Sequence, residues 1–226
     1  MSCCLAVTTT ANCEAAVLKL SGPWTRAGSE AAAIAAWAGV AAPTLLRVDP
    51  EGDALLLERI RPATPFLAHG SPDGLRQIAA LIKALHAAPV TPALGDRLPP
   101  LGSVVDSLID TAGAEAAARS ATERAELQPR LDLARARARS LLSGPQPPTL
   151  LHGDLESKNI LRCDRRGLAA IDPLPCIGDA AYDPGYWLAH AVEEERRDAH
   201  AAELAGALEL DAVRVRMWAA VIAYEA

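Results

Sequence analysis

Apolar residues change their spacing several times along the chain, and each change predicts an element. Residues 14–20 (EAAVLKL) and 55–60 (LLLERI) are short, mostly apolar runs and read as strands. Between them an alanine-dominated stretch, roughly Arg26 to Ala38, predicts a helix opened by Thr25 or Ser29 and closed by Gly39. The segment LLRVDPEGDALLLE has the form of a hairpin with its turn over Asp49-Pro50-Glu51-Gly52-Asp53. Pro62 and Pro65 then interrupt the pattern and suggest two units, residues 1–61 and 62–226. In the second, Gly74 to Ala88 sets Leu75, Ile78, Ala79, Ile82 and Leu85 on one side, the stripe of an amphipathic helix. A Pro/Gly-rich loop over 89–102 leads to helices expected near 101–113 and 115–143, the latter ended by Pro145, Pro147 and Pro148. Two short apolar runs flank a polar centre in TLLHGDLESKNILRCDRRGLAAIDPLP, and helix returns from Tyr182. The apolar helical pattern VRMWAAVIAY continues almost to the last residue, which leaves a truncated boundary open.

With 226 residues, 50% of them hydrophobic, the chain can build a real core, in one domain or two small lobes, and a disordered chain is excluded. No run of about 18 uncharged apolar residues occurs, so no membrane span is expected. The opening MSCCLAVTTTANCE lacks the basic flank and apolar length of a secretory signal. Five cysteines, an odd number without metal-ligand pairing, fit a reducing compartment and a cytoplasmic protein. A net charge of −6 argues against a nucleic-acid partner and leaves a cationic small molecule open. Nothing predicts an obligate dimer, so a monomer is expected. Only three of the 22 basic residues are lysines, Lys19, Lys83 and Lys158, which marks them as places where a compact ammonium is wanted.

Two of those lysines stand near the chemistry-bearing residues. Asn159 follows Asp154 by five residues, and Asp172 follows Asn159 by thirteen, at the end of the apolar run Leu168-Ala169-Ala170-Ile171. Three oxygen-bearing side chains on adjacent short β segments can converge. Phosphoryl transfer uses such a set: one carboxylate to take a hydroxyl proton, a carboxamide and a second carboxylate to hold magnesium against nucleotide phosphates. The Asp-x-x-x-x-Asn spacing is that of the protein-kinase catalytic loop.

HGDLESKN, then AAIDP, then GDAAYDPGYWL resembles the aminoglycoside phosphotransferase family. The run IDPLPCIGDAAYD is especially similar to the streptomycin 6-phosphotransferase and hydroxyurea-type resistance kinases. VLKL, the helix with Glu30, LLLERI and ALHAAP fall in family order. The resemblance implies an α+β, two-lobed protein-kinase-like fold with a reduced N-terminal β lobe and a helical C-terminal lobe. It implies an ATP- and Mg2+-dependent kinase of a small-molecule hydroxyl, most plausibly on streptomycin, a polycation. It casts Asp154 as catalytic base, His152 as support for the loop, and Asn159 and Asp172 as magnesium ligands. Lys19 would touch the α- and β-phosphates and pair with Glu30, while Glu58, Arg59 and Ile60 would form the hinge whose backbone binds adenine. Lys158 could reach the transferred phosphate, and the acidic run Glu193-Glu194-Glu195 could attract a cationic acceptor.

Plainer readings stand beside these. HGD is often a capped turn, Lys19 could be a solvent-facing strand residue, and Glu30 could be an exposed acid on an alanine-rich helix. Asp179 and Asp183 suit helix caps or anchors for the loop, and His86 suits packing or capping. His69, His190 and His200 show no metal spacing with any cysteine, and Arg135, Arg137 and Arg139 suit a solvated helix face, as does Glu193-Glu194-Glu195. The chain departs from the family pattern before VLKL, where about sixteen residues contain no glycine. The nucleotide-clamping hairpin is therefore expected to be minimal, with TTTANCE as a short turn or with a strand missing, and ATP binding to be weakened. Glu156-Ser157-Lys158 replaces the family's more usual histidine, proline and glycine. Three alternatives remain: a kinase of another hydroxyl metabolite, a nucleotide-binding protein of kinase shape without turnover, or a helical interaction domain.

Overall fold

The computed structural model describes residues 3–9, 14–20, 27–49, 53–67, 71–118 and 120–223. The chain begins with an antiparallel sheet and a helix packed on it: β1 (Cys3–Thr8), β2 (Ala15–Leu20), α1 (Ala27–Trp37), β3 (Leu45–Val48) and β4 (Ala54–Glu58). The strand order is β1-β2-β4-β3. Pairing puts Cys4 opposite Lys19 and Lys19 opposite Leu55, and the buried residues of β2 are Ala16 and Lys19.

One expectation is corrected in this sheet. The strand thought minimal or missing before VLKL is present: Cys3–Thr8 pairs with β2 along its whole length, and Thr9 N donates to Glu14 O at 2.9 Å. Sequence pattern hides it because CCLAVT is an edge strand with little alternation, its burial almost uniformly low. Residues 10–13 of TTTANCE, Thr25 and Arg26 at the helix start, His69, and residues 50–52 of the β3–β4 turn lie outside the described residues.

The chain then leaves the sheet through β5 (Pro62–Pro65), which pairs antiparallel with β7 (Ile160–Cys163), itself paired with β8 (Gly167–Ala170). Pro62 and Pro65 are tolerated because β5 is the edge of this three-stranded sheet. Helices follow: α2 (Pro72–His86), the short α3 (Pro92–Gly95), α4 (Leu101–Ala117) and α5 (Ala121–Leu142). The α4–α5 boundary falls later than the break expected between 113 and 115, since Ser120 and Glu123 form a reciprocal capping box that starts α5. β6 (Thr149–Leu151) pairs with β9 (Cys176–Gly178), and α6 (Tyr182–Ala191), α7 (Glu194–Leu208) and α8 (Ala212–Ile222) close the fold.

One apolar cluster runs from α1 through α2 and α4 to α8, with Trp187 and Trp218 fully buried. Gly185 lets α6 and α8 touch: a Cβ there would stand 2.6 Å from Trp218 Cβ and 2.9 Å from Val215 O. Asp179 fastens the same contact, accepting from Arg214 Nε at 2.6 Å and from Trp218 Nε1 at 2.5 Å. α6 is thereby fixed to the body of the helical part, and α6 carries the groups that hold the site.

Candidate active site

β6 feeds directly into the loop 152–159, which is gripped from several sides. Asp183, fully buried in the first turn of α6, accepts from His152 N at 2.9 Å and Gly153 N at 3.0 Å. His86, at the end of α2, bonds the same carboxylate at 2.9 Å through Nε2. Burial alone would raise the Asp183 pKa, but these donors and the nearby imidazoles hold it below the ordinary value. Gly153 sits at φ +82°, and a Cβ there would lie 1.9 Å from Leu174 O, so this turn admits only glycine. His152 is fully buried, stacked on Trp37 with ring centroids 6.0 Å apart, and its Nε2 meets Ile171 O at 3.1 Å. Its Nδ1 is buried and finds no partner among the described residues, and burial pushes its pKa down, which assigns the neutral tautomer protonated on Nε2. His152 is therefore a fixed strut between the loop and the strand end at Ile171.

The polar side chains predicted to converge form two small groups. In the first, Asn159 donates through Nδ2 to Asp154 O and to Asp154 Oδ2, both at 2.9 Å, and Tyr186 donates its hydroxyl to Asp154 Oδ1 at 2.8 Å. In the second, Lys19 Nζ lies 2.6 Å from Glu30 Oε1 and 2.5 Å from Asp172 Oδ1. Lys19 and Glu30 are buried, whereas the Asp172 side chain is 56% exposed. Burial works against the lysine charge, yet Glu30 and Asp172 outweigh it and raise the Lys19 pKa. Glu30 shares that one lysine with Asp172, and burial leaves its own pKa raised. Asp172 adopts φ +54°, uncommon for a non-glycine residue, at the end of β8. Its neighbour Ile171 N bonds Asn159 O at 2.8 Å, which ties the two groups together through the backbone.

Two cavities meet at Lys19, Glu30 and Asp172. One, of about 300 Å³, is walled by Val17, Ile34, Leu57, Leu161 and Ala170 and edged by Glu58, Arg59 and Ile60. The other, of about 430 Å³, runs from Asp154 along the α4 hydroxyls Ser103, Ser107 and Thr111. Both volumes lie in the range of small-molecule sites. The oxygen donors suit a hard cation. Asn159 uses Nδ2 on Asp154, which leaves its carbonyl oxygen, and Asp172 gives Lys19 only Oδ1. Among the described residues no three acidic, histidine or cysteine side chains cluster as a metal cage, so a cation at Asn159 and Asp172 would share its shell with phosphate oxygens and water.

Other predicted residues stand elsewhere. The Lys158 ammonium pairs with Glu156 at 3.0 Å, is 66% exposed and lines neither cavity. Glu193, Glu194 and Glu195 are exposed at the start of α7, also outside both cavities. The Glu58 carboxylate bonds Thr44 N and Thr44 Oγ1 at 3.0 Å and Arg166 Nη2 at 2.8 Å; despite partial burial, these donors lower its pKa. Its side chain thus braces β4 against the β7–β8 turn. Tyr186 was not foreseen. The available signal was its position three residues after Asp183, on the same face of a helix expected to anchor the loop.

A family model described as aminoglycoside/hydroxyurea antibiotic resistance kinase matches residues 1–226. The chain is 30% identical over 176 residues to streptomycin 6-kinase of Streptomyces griseus, covering 74% of this chain and 52% of that protein. It is also 30% identical over 218 residues to hydroxyurea phosphotransferase of Kitasatospora aureofaciens, covering 90% and 58%. The chain thus spans little more than half the length of these curated relatives. The fold is similar to that of spectinomycin phosphotransferase APH(9)-Ia in complex with ADP and spectinomycin, with a TM-score of 0.61 at 12% identity over 97% of this chain and 76% of that one. Matched by that family model over residues 1–226, the chain belongs to the aminoglycoside/hydroxyurea antibiotic resistance kinase family.

Proposed function

We propose that the protein transfers the terminal phosphoryl group of ATP to a hydroxyl of a small-molecule antibiotic, streptomycin first among the candidates. The observation that carries this reading is the meeting of two cavities at one ammonium and two carboxylates, Lys19, Glu30 and Asp172, with a third carboxylate, Asp154, on the wall of the larger. Phosphoryl transfer asks little of a protein beyond positioning and charge neutralisation, and these residues supply both.

The apolar cavity beside Glu58, Arg59 and Ile60 takes the adenine, and Lys19, steadied by Glu30, meets the α- and β-phosphates. Asn159 and Asp172 would hold Mg2+, which neutralises phosphate charge. The acceptor lies along α4, and Asp154 takes its hydroxyl proton as the oxygen bonds to phosphorus and ADP departs. Lys158 would exchange Glu156 for the transferred group, while Glu193 and Glu194, outside the cleft, would act on a polycation only by long-range steering. The relatives' activities on streptomycin and hydroxyurea support the acceptor class, and the ADP complex of a protein with this fold supports nucleotide use. Dependence on ATP and the free thiols Cys163 and Cys176 fit a cytoplasmic protein. Among the described residues no helix is long and apolar enough to cross a membrane.

The test is incubation with streptomycin, ATP and Mg2+, followed by mass spectrometry for one added phosphate, with hydroxyurea and other hydroxyl compounds in parallel. Asp154→Asn is expected to lower turnover at least about 100-fold. Turnover near the parent rate would remove Asp154 as the base.

A further inference from the structure

We infer that Tyr186 is a positioning residue for Asp154: its hydroxyl fixes the plane of the carboxylate that takes the acceptor's proton. The inference rests on the phosphotransferase reading above and assigns a role to a residue that reading does not use.

The terminal torsion of an aspartate is broad and roughly two-fold, so a carboxylate at a cavity wall keeps one orientation only if its neighbours impose it. Asp154 lines the acceptor cavity and is partly exposed. Each of its oxygens is engaged from a different element. Asn159 Nδ2 holds Oδ2 from the short 3₁₀ turn Ser157–Asn159, and Tyr186 Oη holds Oδ1 from α6. The two donors approach opposite ends of one planar group, which is the arrangement that stops rotation. A carboxylate oxygen has lone-pair room for two hydrogen bonds, so neither donor removes Asp154's capacity to accept a proton.

Asn159 and Tyr186 hold the carboxylate together, and Tyr186 is itself held rigidly. Its ring stacks on His190 at 4.5 Å between centroids and leans on Tyr182 at 5.7 Å. His190 Nδ1 in turn meets Tyr186 O at 3.0 Å. Tyr186 is 8% exposed, so its hydroxyl bond is shielded from competing water. It lies one helical turn after Asp183, which holds the backbone amides of His152 and Gly153. One face of α6 therefore sets both the loop's backbone and the orientation of its reacting side chain.

The experiment compares the parent with Tyr186→Phe, Asp154→Asn, Asp154→Ala and the double variant Tyr186→Phe/Asp154→Ala. Tyr186→Phe keeps the ring stack and removes only the hydroxyl. It is expected to lower kcat about ten- to hundredfold, with KM for nucleotide and acceptor within about twofold and a fall in melting temperature of at most about 6 °C. A purely structural role would leave kcat per folded molecule intact. In urea unfolding, Tyr186→Phe and Asp154→Ala are expected to be non-additive when combined, since each removes the same hydrogen bond. This second readout needs no acceptor. Additive unfolding effects, or kcat of Tyr186→Phe within twofold of the parent while Asp154→Asn is inactive, overturn the positioning role. Parent-level turnover by Asp154→Asn overturns the base assignment itself, and the inference with it.

Discussion

Replacing Lys19 by methionine should cost much more stability than replacing Lys19 and Glu30 together. The Lys19 and Glu30 side chains are 5% and 7% exposed and 2.6 Å apart, so the pair is shielded from water. Removing one member leaves the other buried without a counter-charge, at a cost of about 3–5 kcal/mol. Asp172 adds little to that figure, because its side chain is 56% exposed and screened. Glu30 also has a way to relieve the cost: its pKa is already raised by burial, and without the lysine it rises further, so the group can take up a proton. The lower end of the range, about 3 kcal/mol, is therefore expected, or a fall in melting temperature of about 6–12 °C for a chain of this size. Lys19→Met/Glu30→Leu removes both charges and should recover most of the loss, while phosphotransfer stays absent in both variants. The sign of the pH dependence is fixed as well. Because folded Lys19→Met binds the Glu30 proton more tightly than the unfolded chain does, its stability deficit relative to the parent should narrow as pH falls toward 5 and widen as pH rises. Urea unfolding followed by circular dichroism at pH 5 and 7.5 reads all of this. A single variant within 1 kcal/mol of the parent, or a double variant no more stable than the single, would refute the claim that a buried ion pair joins β2 to α1.

Two further outcomes follow from the loop. Gly153→Ala sets a Cβ 1.9 Å from Leu174 O at φ +82°, and should lower stability by at least about 2 kcal/mol by urea unfolding; an unchanged midpoint would mean that the loop is not confined there. Acidification should weaken the fold first through His152, held neutral by burial: the unfolded chain takes up a proton below about pH 6.5 that the native state refuses, so stability falls by up to about 1.4 kcal/mol per pH unit. The Asp183 contribution, from a depressed carboxyl, is present above its ordinary value of 3.8 and is lost only at lower pH, so His152→Gln should flatten the profile between pH 6.5 and 5.

The parts legible in the sequence are those whose chemistry and spacing act together. Asp154, Asn159 and Asp172 declare themselves because their contacts run through a local loop and one β-turn, so the spacing alone brings them close. Lys19 and Glu30 are legible as a pair because a strand and the helix packed on it bring residues eleven apart into contact. What stays hidden depends on long-range packing. The β1 strand is an exposed edge without a periodic signal, and only pairing to β2 defines it. The Glu58 carboxylate meets Arg166 across 108 residues of chain, and no local pattern announces that partner. Lys158 shows the reverse: it stands beside Asn159, yet a 3₁₀ turn directs successive residues to different sides, so the asparagine is buried and the lysine is exposed on Glu156.

The residue set GDAAYDPGYW explains why the site can be stiff although its loop contains little regular structure. A fully buried carboxylate at Asp183 is unfavourable unless every oxygen is engaged, and here two backbone amides and one imidazole do so while the start of α6 adds its positive dipole end. Those donors are useful to the fold only if α6 stays at a fixed height above the loop. Gly185 sets that height by direct contact with α8, and Asp179 locks it through Trp218 and Arg214, whose Nη2 also reaches the α5 carbonyl Leu141 O at 2.5 Å. The orientation of Asp154 is therefore inherited, through Tyr186 and Asp183, from helix–helix packing well behind the cleft. A carboxylate set this way reorganises little when a substrate arrives, and that is the condition under which a modest set of charges suffices for phosphoryl transfer.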